Sequence, residues 1–258
     1  MHIRCAVTAL LLFLCSGAVH CASSSVVLLA GEALDDKGNQ RPLGATHRRL
    51  LNYLERVLDV RFDVRTYPWS RLELSARNGE GLALGLSKNP ERLTAMHFSD
   101  AAYANNLWLV TRSDASFTFN SMQDLAGKKI GAVRGYSYGE EFDSGRNRVF
   151  QIEEDISSRP SRLKKLLSRR MDALLVYQQA TDSAEEVELG INRFMASEVK
   201  DTPLPANVSF HVLPRPLQTE SVYFCIAAGK DAGIIASIND ALAKGRKSGE
   251  LARVLKAP

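Results

Sequence analysis

Two short constellations in the 258-residue chain combine residue types that could do chemistry. The first is Gly135-Tyr136-Ser137-Tyr138-Gly139, a serine between two glycines where a strand pattern gives way to a helical one. A nucleophile elbow needs that arrangement, because the tight turn lifts the hydroxyl clear of the sheet. A hydrolase would also need an acid and a later histidine. The only histidine after Ser137 is His211, which sits inside an apolar strand pattern, and no His-Gly-Gly segment precedes the serine. The second constellation is Ser87-Lys88-Asn89-Pro90-Glu91-Arg92, at the end of an apolar strand and the first turn of a helix. Unpaired amides and the positive helix end attract an anion there, and Arg92 could add a bidentate carboxylate partner. The alternative is a surface turn whose arginine pairs with a neighbouring acid. Ser137 offers a second set of helix-start amides, so two such ends could hold one ligand from both sides.

Other candidates are weaker. The run Arg159, Arg162, Lys164, Lys165, Arg169 and Arg170 shares a helix with Leu163, Leu166 and Leu167, and reads as a solvated basic face. His47, His97 and His211 have no metal-ligand spacing to each other or to a cysteine. No metal or cofactor is expected. Trp69 follows Pro68 at a strand end, where an aromatic either joins the core or stacks on a ligand.

These residues need elements to hold them, and the chain alternates strand and helix patterns throughout. Strands are predicted over 26–29, 61–67, 81–86, 107–110, 129–133, 148–152, 172–176, 208–213 and 222–228. Helices are predicted from Thr46, over 70–78, from Asn89, from Ser137 with Glu140 in capping-box spacing, over 160–170, near 179–188, and over 231–244 and 248–255. This alternation implies parallel sheets covered by helices. A composition of 45% hydrophobic and 24% charged residues fits a globular protein and excludes disordered and collagen-like chains. The formal charge of +4, with both signs interleaved, is too small to suggest a nucleic-acid partner.

The start of the chain differs from this average. His2 and Arg4 precede an apolar run over 6–14 and then small residues, which reads as a cleaved signal peptide over 1–22. Ser16, Gly17 and His20 interrupt it too early for a membrane span, and the residues before Cys21 argue against lipid anchoring. Cleavage would remove Arg4, Cys5, Cys15 and Cys21, leaving 32 Lys+Arg against 29 Asp+Glu, or +3, and Cys225 alone in an apolar strand. A soluble periplasmic monomer without a disulfide is expected.

With these pieces in place, the chain resembles the bacterial extracellular solute-binding proteins of the polar amino-acid type (family 3), the periplasmic components of ABC importers. The resemblance is carried by Gly85-Leu86-Ser87-Lys88-Asn89-Pro90-Glu91-Arg92 with His97-Phe98-Ser99-Asp100. It extends through Asp124-Leu125-Ala126-Gly127-Lys128-Lys129-Ile130-Gly131 running into Gly135-Tyr136-Ser137, and through Met171-Asp172-Ala173. It implies an α/β, two-lobed periplasmic-binding-protein fold (type II), each lobe a mostly parallel sheet flanked by helices, with two hinge crossovers. Lobe one would be 23–112 plus 221–258 and lobe two the inserted 113–220. The hinges would lie near 111–115 and 218–222. It also implies that Arg92 and Ser87 grip a carboxylate from lobe one, that Ser137 and the adjoining Tyr136 meet it from lobe two, that Trp69 stacks on the ligand, and that Glu32 supplies an acid. Where the family usually has an aspartate for the ligand's ammonium, this chain has Tyr177. A buried ammonium without a carboxylate is costly, so the expected solute is a carboxylate with a neutral, aromatic or weakly basic far end. A membrane permease or sensor is the implied partner. Binding without catalysis is expected; the alternatives are a cyclohexadienyl-dehydratase-like enzyme on the same fold with Glu32 as acid, a serine hydrolase using Ser137, or an interaction protein that no longer binds a ligand.

Overall fold

The structure, a computed structural model, describes residues 24–198 and 207–256. The leader expected over 1–22, with Cys5, Cys15 and Cys21, lies outside the described residues. The first lobe runs β1 (Ser24–Gly31), α1 (Ala45–Leu58), β2 (Val60–Tyr67), α2 (Trp69–Arg77), β3 (Leu82–Leu84), α3 (Pro90–Ala95) and β4 (Met96–Phe98). The chain then enters a second sheet with β5 (Tyr103–Arg112), β6 (Lys129–Val133), α4 (Glu140–Gly145), β7 (Gln151–Asp155), α5 (Arg159–Leu167), β8 (Ala173–Gln179), α6 (Ala184–Glu198), β9 (Phe210–Val212) and β10 (Gln218–Val222). It returns to the first sheet with β11 (Phe224–Ala227) and ends in α7 (Ile234–Lys247) and α8 (Glu250–Lys256).

The first sheet has the order β2-β1-β3-β11-β4, the second β10-β5-β8-β6-β7 with β9 also on β5. Only three strands in each are parallel, β2-β1-β3 and β7-β6-β8; the remaining pairings are antiparallel. The sheets are therefore mixed, because each takes back strands from the returning chain. Side-chain alternation along the central strands fills a core on each face. Leu28, Leu82 and Leu84 pack against α1, α7 and α8, whereas Leu29 and Ala83 pack against α2. In the second sheet Trp108, Val110, Leu174 and Val176 meet α5 and α6, and Leu107, Leu109, Ala173 and Leu175 meet Phe142 and Phe150. Strands buried on both faces read as continuous apolar runs, which is why the sequence showed them.

Several boundaries differ from expectation, among them β7, three residues later than the strand expected over 148–152, and α7, three later than the helix expected over 231–244. The chain leaves the first sheet at Phe98 and enters the second at Tyr103, so the expected division at 112 falls at the far end of a ten-residue strand. Its polar first half, 103–106, hid it from a hydrophobic reading. The return crossover is the single residue Tyr223, between β10 and β11, rather than 218–222. The helix expected from Ser137 starts at Glu140, behind Gly139 at φ 90°. The helix expected near 179 starts at Ala184, where Ser183 and Glu186 exchange capping hydrogen bonds, Ser183 N to Glu186 Oε2 at 2.8 Å and Glu186 N to Ser183 Oγ at 3.3 Å.

Among the described residues no helix is long and apolar enough to cross a membrane, and no group of three or more His, Cys, Asp or Glu could hold a metal ion. Leu54, fully buried between α1 and the helices of the C-terminal return, has no free space to relax into. Leu54→Ala is expected to lower the stability of the ligand-free protein by about 2–5 kcal/mol, measured by urea denaturation.

Candidate ligand cleft

The carboxyl ends of β1 and β3 in lobe one face β8 and the turn after β6 in lobe two. Between them lies a cavity of about 470 Å³, walled on one side by Gly31, Glu32, Thr46, His47 and Trp69, and on the other by Tyr136, Tyr138, Arg159, Arg162, Tyr177 and Gln178. Its size suits a small organic molecule. A second pocket of about 10 Å³ adjoins it, sharing Trp69, Gly85 and Tyr136, and is closed by Glu73, Ser87, Arg92 and Ser137. That is room for about one water. The two walls bring together all seven residues singled out in the sequence, Glu32, Trp69, Ser87, Arg92, Tyr136, Ser137 and Tyr177.

Trp69 opens α2 and lies over two glycines. A Cβ on Gly31 would come within 2.4 Å of its ring, and one on Gly85, at φ +101°, within 3.2 Å. Side-chain-free backbone at both positions therefore makes the floor on which the indole rests. Tyr136 meets Trp69 edge-on at 4.6 Å between centroids, and Tyr177 stacks with Tyr138 at 5.9 Å. Burial pushes the phenol pKa of Tyr136, Tyr138 and Tyr177 up, so all three remain neutral hydrogen-bonding groups. Tyr103 and His47 Nε2 share a hydrogen bond of 2.6 Å at the rim, and burial holds the imidazole pKa down, favouring a neutral ring that accepts the phenol proton.

Arg92 does not present its fork to the large cavity. Asn89 caps α3 by accepting from Arg92 N at 2.7 Å, which fixes the backbone. The guanidinium then closes on Glu73 from α2, Nε to Oε1 at 3.1 Å and Nη2 to Oε2 at 2.8 Å, while Nη1 donates to Ser87 O and Oγ at 2.9 Å each. Its carboxylate partner is thus a residue of the chain, and the pairing that the alternative reading placed on the surface joins a buried arginine to a half-buried glutamate. Arg92 holds the carboxyl of Glu73 below its ordinary pKa. Ser137 is likewise engaged: its hydroxyl donates to Asp143 Oδ2 at 2.6 Å, and Asp143 also accepts from Tyr138 N and from Arg146 Nε at 2.7 Å. His211 pairs with Glu188 at 2.8 Å, so the hydroxyl has an acid beside it and no imidazole base. The elbow reading fails on that geometry.

Sequence reasoning left Tyr177 without a carboxylate nearby. The structure supplies one from β10: the Tyr177 hydroxyl donates to Glu220 Oε2 at 2.6 Å, and Ser87 also bonds the Glu220 side chain. Gln218 and Glu220, two apart on a strand, share one side of it, and both reach Tyr177. Period-two spacing was a visible signal, but nothing in the sequence placed that strand beside β8. Glu73 was also missed; its i,i+4 partner Arg77 suggested an ordinary helix-surface pair.

A strap from lobe one crosses the cleft. In the loop after β1, Leu34 N donates to Ser157 O at 3.1 Å, Asp35 O accepts from Ser158 Oγ at 2.8 Å, and Asp36 pairs with Lys164 at 3.0 Å. The strap therefore docks on the start of α5 and joins the lobes on the side of the cleft away from the crossovers.

Geometry of this kind, two mixed sheets with a cavity at their facing strand ends and two adjacent crossovers, has many solved counterparts. An amino acid ABC transporter substrate-binding protein from Streptococcus pneumoniae bound to L-arginine superposes with a TM-score of 0.66 at 19% identity, covering 90% of this chain and 93% of that one. The fold is that of the two-lobed substrate-binding proteins. An ancestral amino-acid-binding protein described as a precursor of cyclohexadienyl dehydratase has the same binding-protein fold, with a TM-score of 0.64 at 16% identity over 90% of this chain and 93% of that one. In sequence, a probable histidine-binding protein of Neisseria gonorrhoeae is 23% identical over 245 residues, 92% of this chain and 82% of that protein. No family model matches the chain.

Two outcomes follow for the buried charges. Arg92→Ala removes the fork's hydrogen bonds but leaves Glu73 with Arg77, so the ligand-free protein should lose roughly 2–3 kcal/mol, read from denaturant midpoints. Glu220 behaves oppositely. Burial raises its carboxyl above the ordinary value of 4.5 despite the bonds from Tyr177 and Ser87 and the attraction of Arg92. The folded protein then holds that proton more tightly than the unfolded chain. The stabilisation is complete below 4.5 and is lost as pH rises through the folded value. Urea midpoints measured across about pH 4–8 should therefore shift in favour of Glu220→Gln as pH rises from 4.5, and level off once Glu220 is ionised.

Proposed function

We propose that this protein is a periplasmic solute-binding protein that captures a small carboxylate-bearing solute, an amino acid or related organic acid, between its two lobes and presents it to a membrane ABC permease or sensor. The observation that carries the reading is the cavity of about 470 Å³ shared by two lobes that are joined by adjacent crossovers. Such a connection lets the lobes part and close as units. The printed functions of the similar proteins, amino-acid and histidine binding, support it. In this reading the division of labour is 1–22 as leader, the β1–β4 and β11–α8 segments as one jaw, and the β5–β10 insertion as the other. The protein acts as a monomer.

The solute lies against Trp69, Tyr136 and Tyr177, with Glu32 at the lobe-one wall. Ser87, Arg92 and Ser137 shape the adjoining pocket through Glu73 and Asp143 and hold Trp69 and Tyr136 in place. Glu32, the acid a dehydratase would use, lines the cavity and accepts a long contact from Gln40 at 3.5 Å.

The test is a thermal-shift screen of the mature protein against amino acids, organic acids and polyamines, followed by small-angle scattering with the best compound. At least one small solute should raise the unfolding midpoint and reduce the radius of gyration, and Trp69→Ala should weaken that solute's binding by about tenfold or more. A protein that responds to no member of the panel would refute the reading.

A further inference from the structure

The basic helix α5 treats its cations in two ways. Lys164 pairs with Asp36 at 3.0 Å, Lys165 with Asp155 at 2.9 Å, and Arg169, just past the helix, with Asp114 at 2.7 Å. Arg159 and Arg162, one turn apart, instead line the large cavity. Neither has a carboxylate within ion-pair distance among the described residues. Arg162 is 7% exposed, spends Nη1 on Leu175 O at 3.3 Å, and leaves Nε buried with no partner. The neutral Tyr138 hydroxyl and, from a distance, Asp155 attract it, but a phenol carries no charge to balance it and Asp155 is already held by Lys165. Burial presses both guanidinium pKa values down, and the charges of Arg162 and Arg41 add to it for Arg159, which falls to about 10.

Taking Arg162 out of water without a counterion, beside the half-buried Arg159 whose guanidinium lies 5.9 Å from the Phe194 ring centre, is unfavourable, and folding alone gives no reason to turn Arg162 inward when the other basic residues of the run pair with acids or stay exposed. We infer that Arg159 and Arg162 form the anion-binding end of the cleft, so that the solute's carboxylate docks against the first turn of α5 and not against Arg92, whose fork Glu73 already fills. The inference rests on the solute-binding reading and specifies its ligand: an acid whose charged group meets the two guanidiniums and whose remainder lies along Trp69, Tyr136 and Tyr177. An anion there would pair with both arginines at once, and the docked strap, ending on Ser157 and Ser158, would cover it.

The test compares succinate, glutarate and glutamate with glutaramide, which has no carboxylate, and putrescine, by thermal shift and calorimetry, on the wild type, Arg159→Gln and Arg162→Gln. The acids should stabilise the wild type more than the amide or the diamine, and each substitution should weaken acid binding by about thirtyfold or more. The ligand-free midpoint of Arg162→Gln should equal or exceed that of the wild type, because an uncompensated charge is gone; a purely structural arginine would lower it. Acid binding that survives both substitutions, no response to the acids, or a sharp fall in the ligand-free midpoint of Arg162→Gln would overturn the assignment. Stabilisation by glutaramide or putrescine alone would overturn the anion site while leaving solute binding intact, whereas silence across the whole wider panel would overturn both.

Discussion

Antiparallel pairing of residues 103–107 with 218–222 ties the two lobes together, since the same two chain segments continue into β4 and β11 of the other sheet. Ser99 N to Phe224 O at 2.8 Å and Ala102 N to Val222 O at 2.8 Å carry the pairing across the gap. The buried Ser99 hydroxyl adds a side-chain contact to this backbone pairing, accepting from Phe224 N at 3.0 Å. The cleft lies beside this ribbon because the strands on either side of it end there. The ribbon places one element of each cavity wall directly: β8 with Tyr177 pairs with β5, and Gly85, just after β3, is bonded to Tyr223, Gly85 N to Tyr223 O at 3.0 Å.

Charge burial sorts the cleft into compensated and uncompensated parts. Arg92, Glu73, Ser87, Glu220 and Tyr177 form a hydrogen-bonded chain that passes from lobe one through β10 to lobe two. Its members satisfy one another, and a chain of that kind stiffens the wall it forms. The α5 arginines stand outside the chain. The contrast matters more than either group alone, because the same fold solves the desolvation problem with protein carboxylates at one end of the cleft and leaves it open at the other.

The strap after β1 adds a second connection between the lobes, and of a different kind. It uses one backbone hydrogen bond, one bond from the Ser158 hydroxyl to a backbone carbonyl, and one ion pair of half-buried side chains, Lys164 with Asp36. Such contacts are individually weak, whereas the crossover ribbon is continuous with both sheets. Opening at the strap while the ribbon holds is therefore the inexpensive motion, and it would expose the α5 end of the cavity first.

The sequence by itself determined the alternation of strands and helices, the two apolar faces of each central strand, and the cluster of residues from Ser87 to Arg92 at a helix start, since local hydrophobic periodicity and capping chemistry depend on neighbours within a turn or two. It also brought Glu32, Trp69, Tyr136, Ser137 and Tyr177 into consideration, and all five line the cleft or its adjoining pocket. Only the tertiary structure decided what each charge meets. Glu73 lies 19 residues from Arg92, Glu220 lies 43 from Tyr177, and Asp36 lies 128 from Lys164. Arg159 and Arg162 looked like part of a solvated face because Lys164, Lys165, Arg169 and Arg170 surround them in the sequence. Which side of α5 turns inward is settled by the sheet and strap packed against it. Electrostatic partnership acts through space, and a linear pattern records the types of the charges without recording the distances between them.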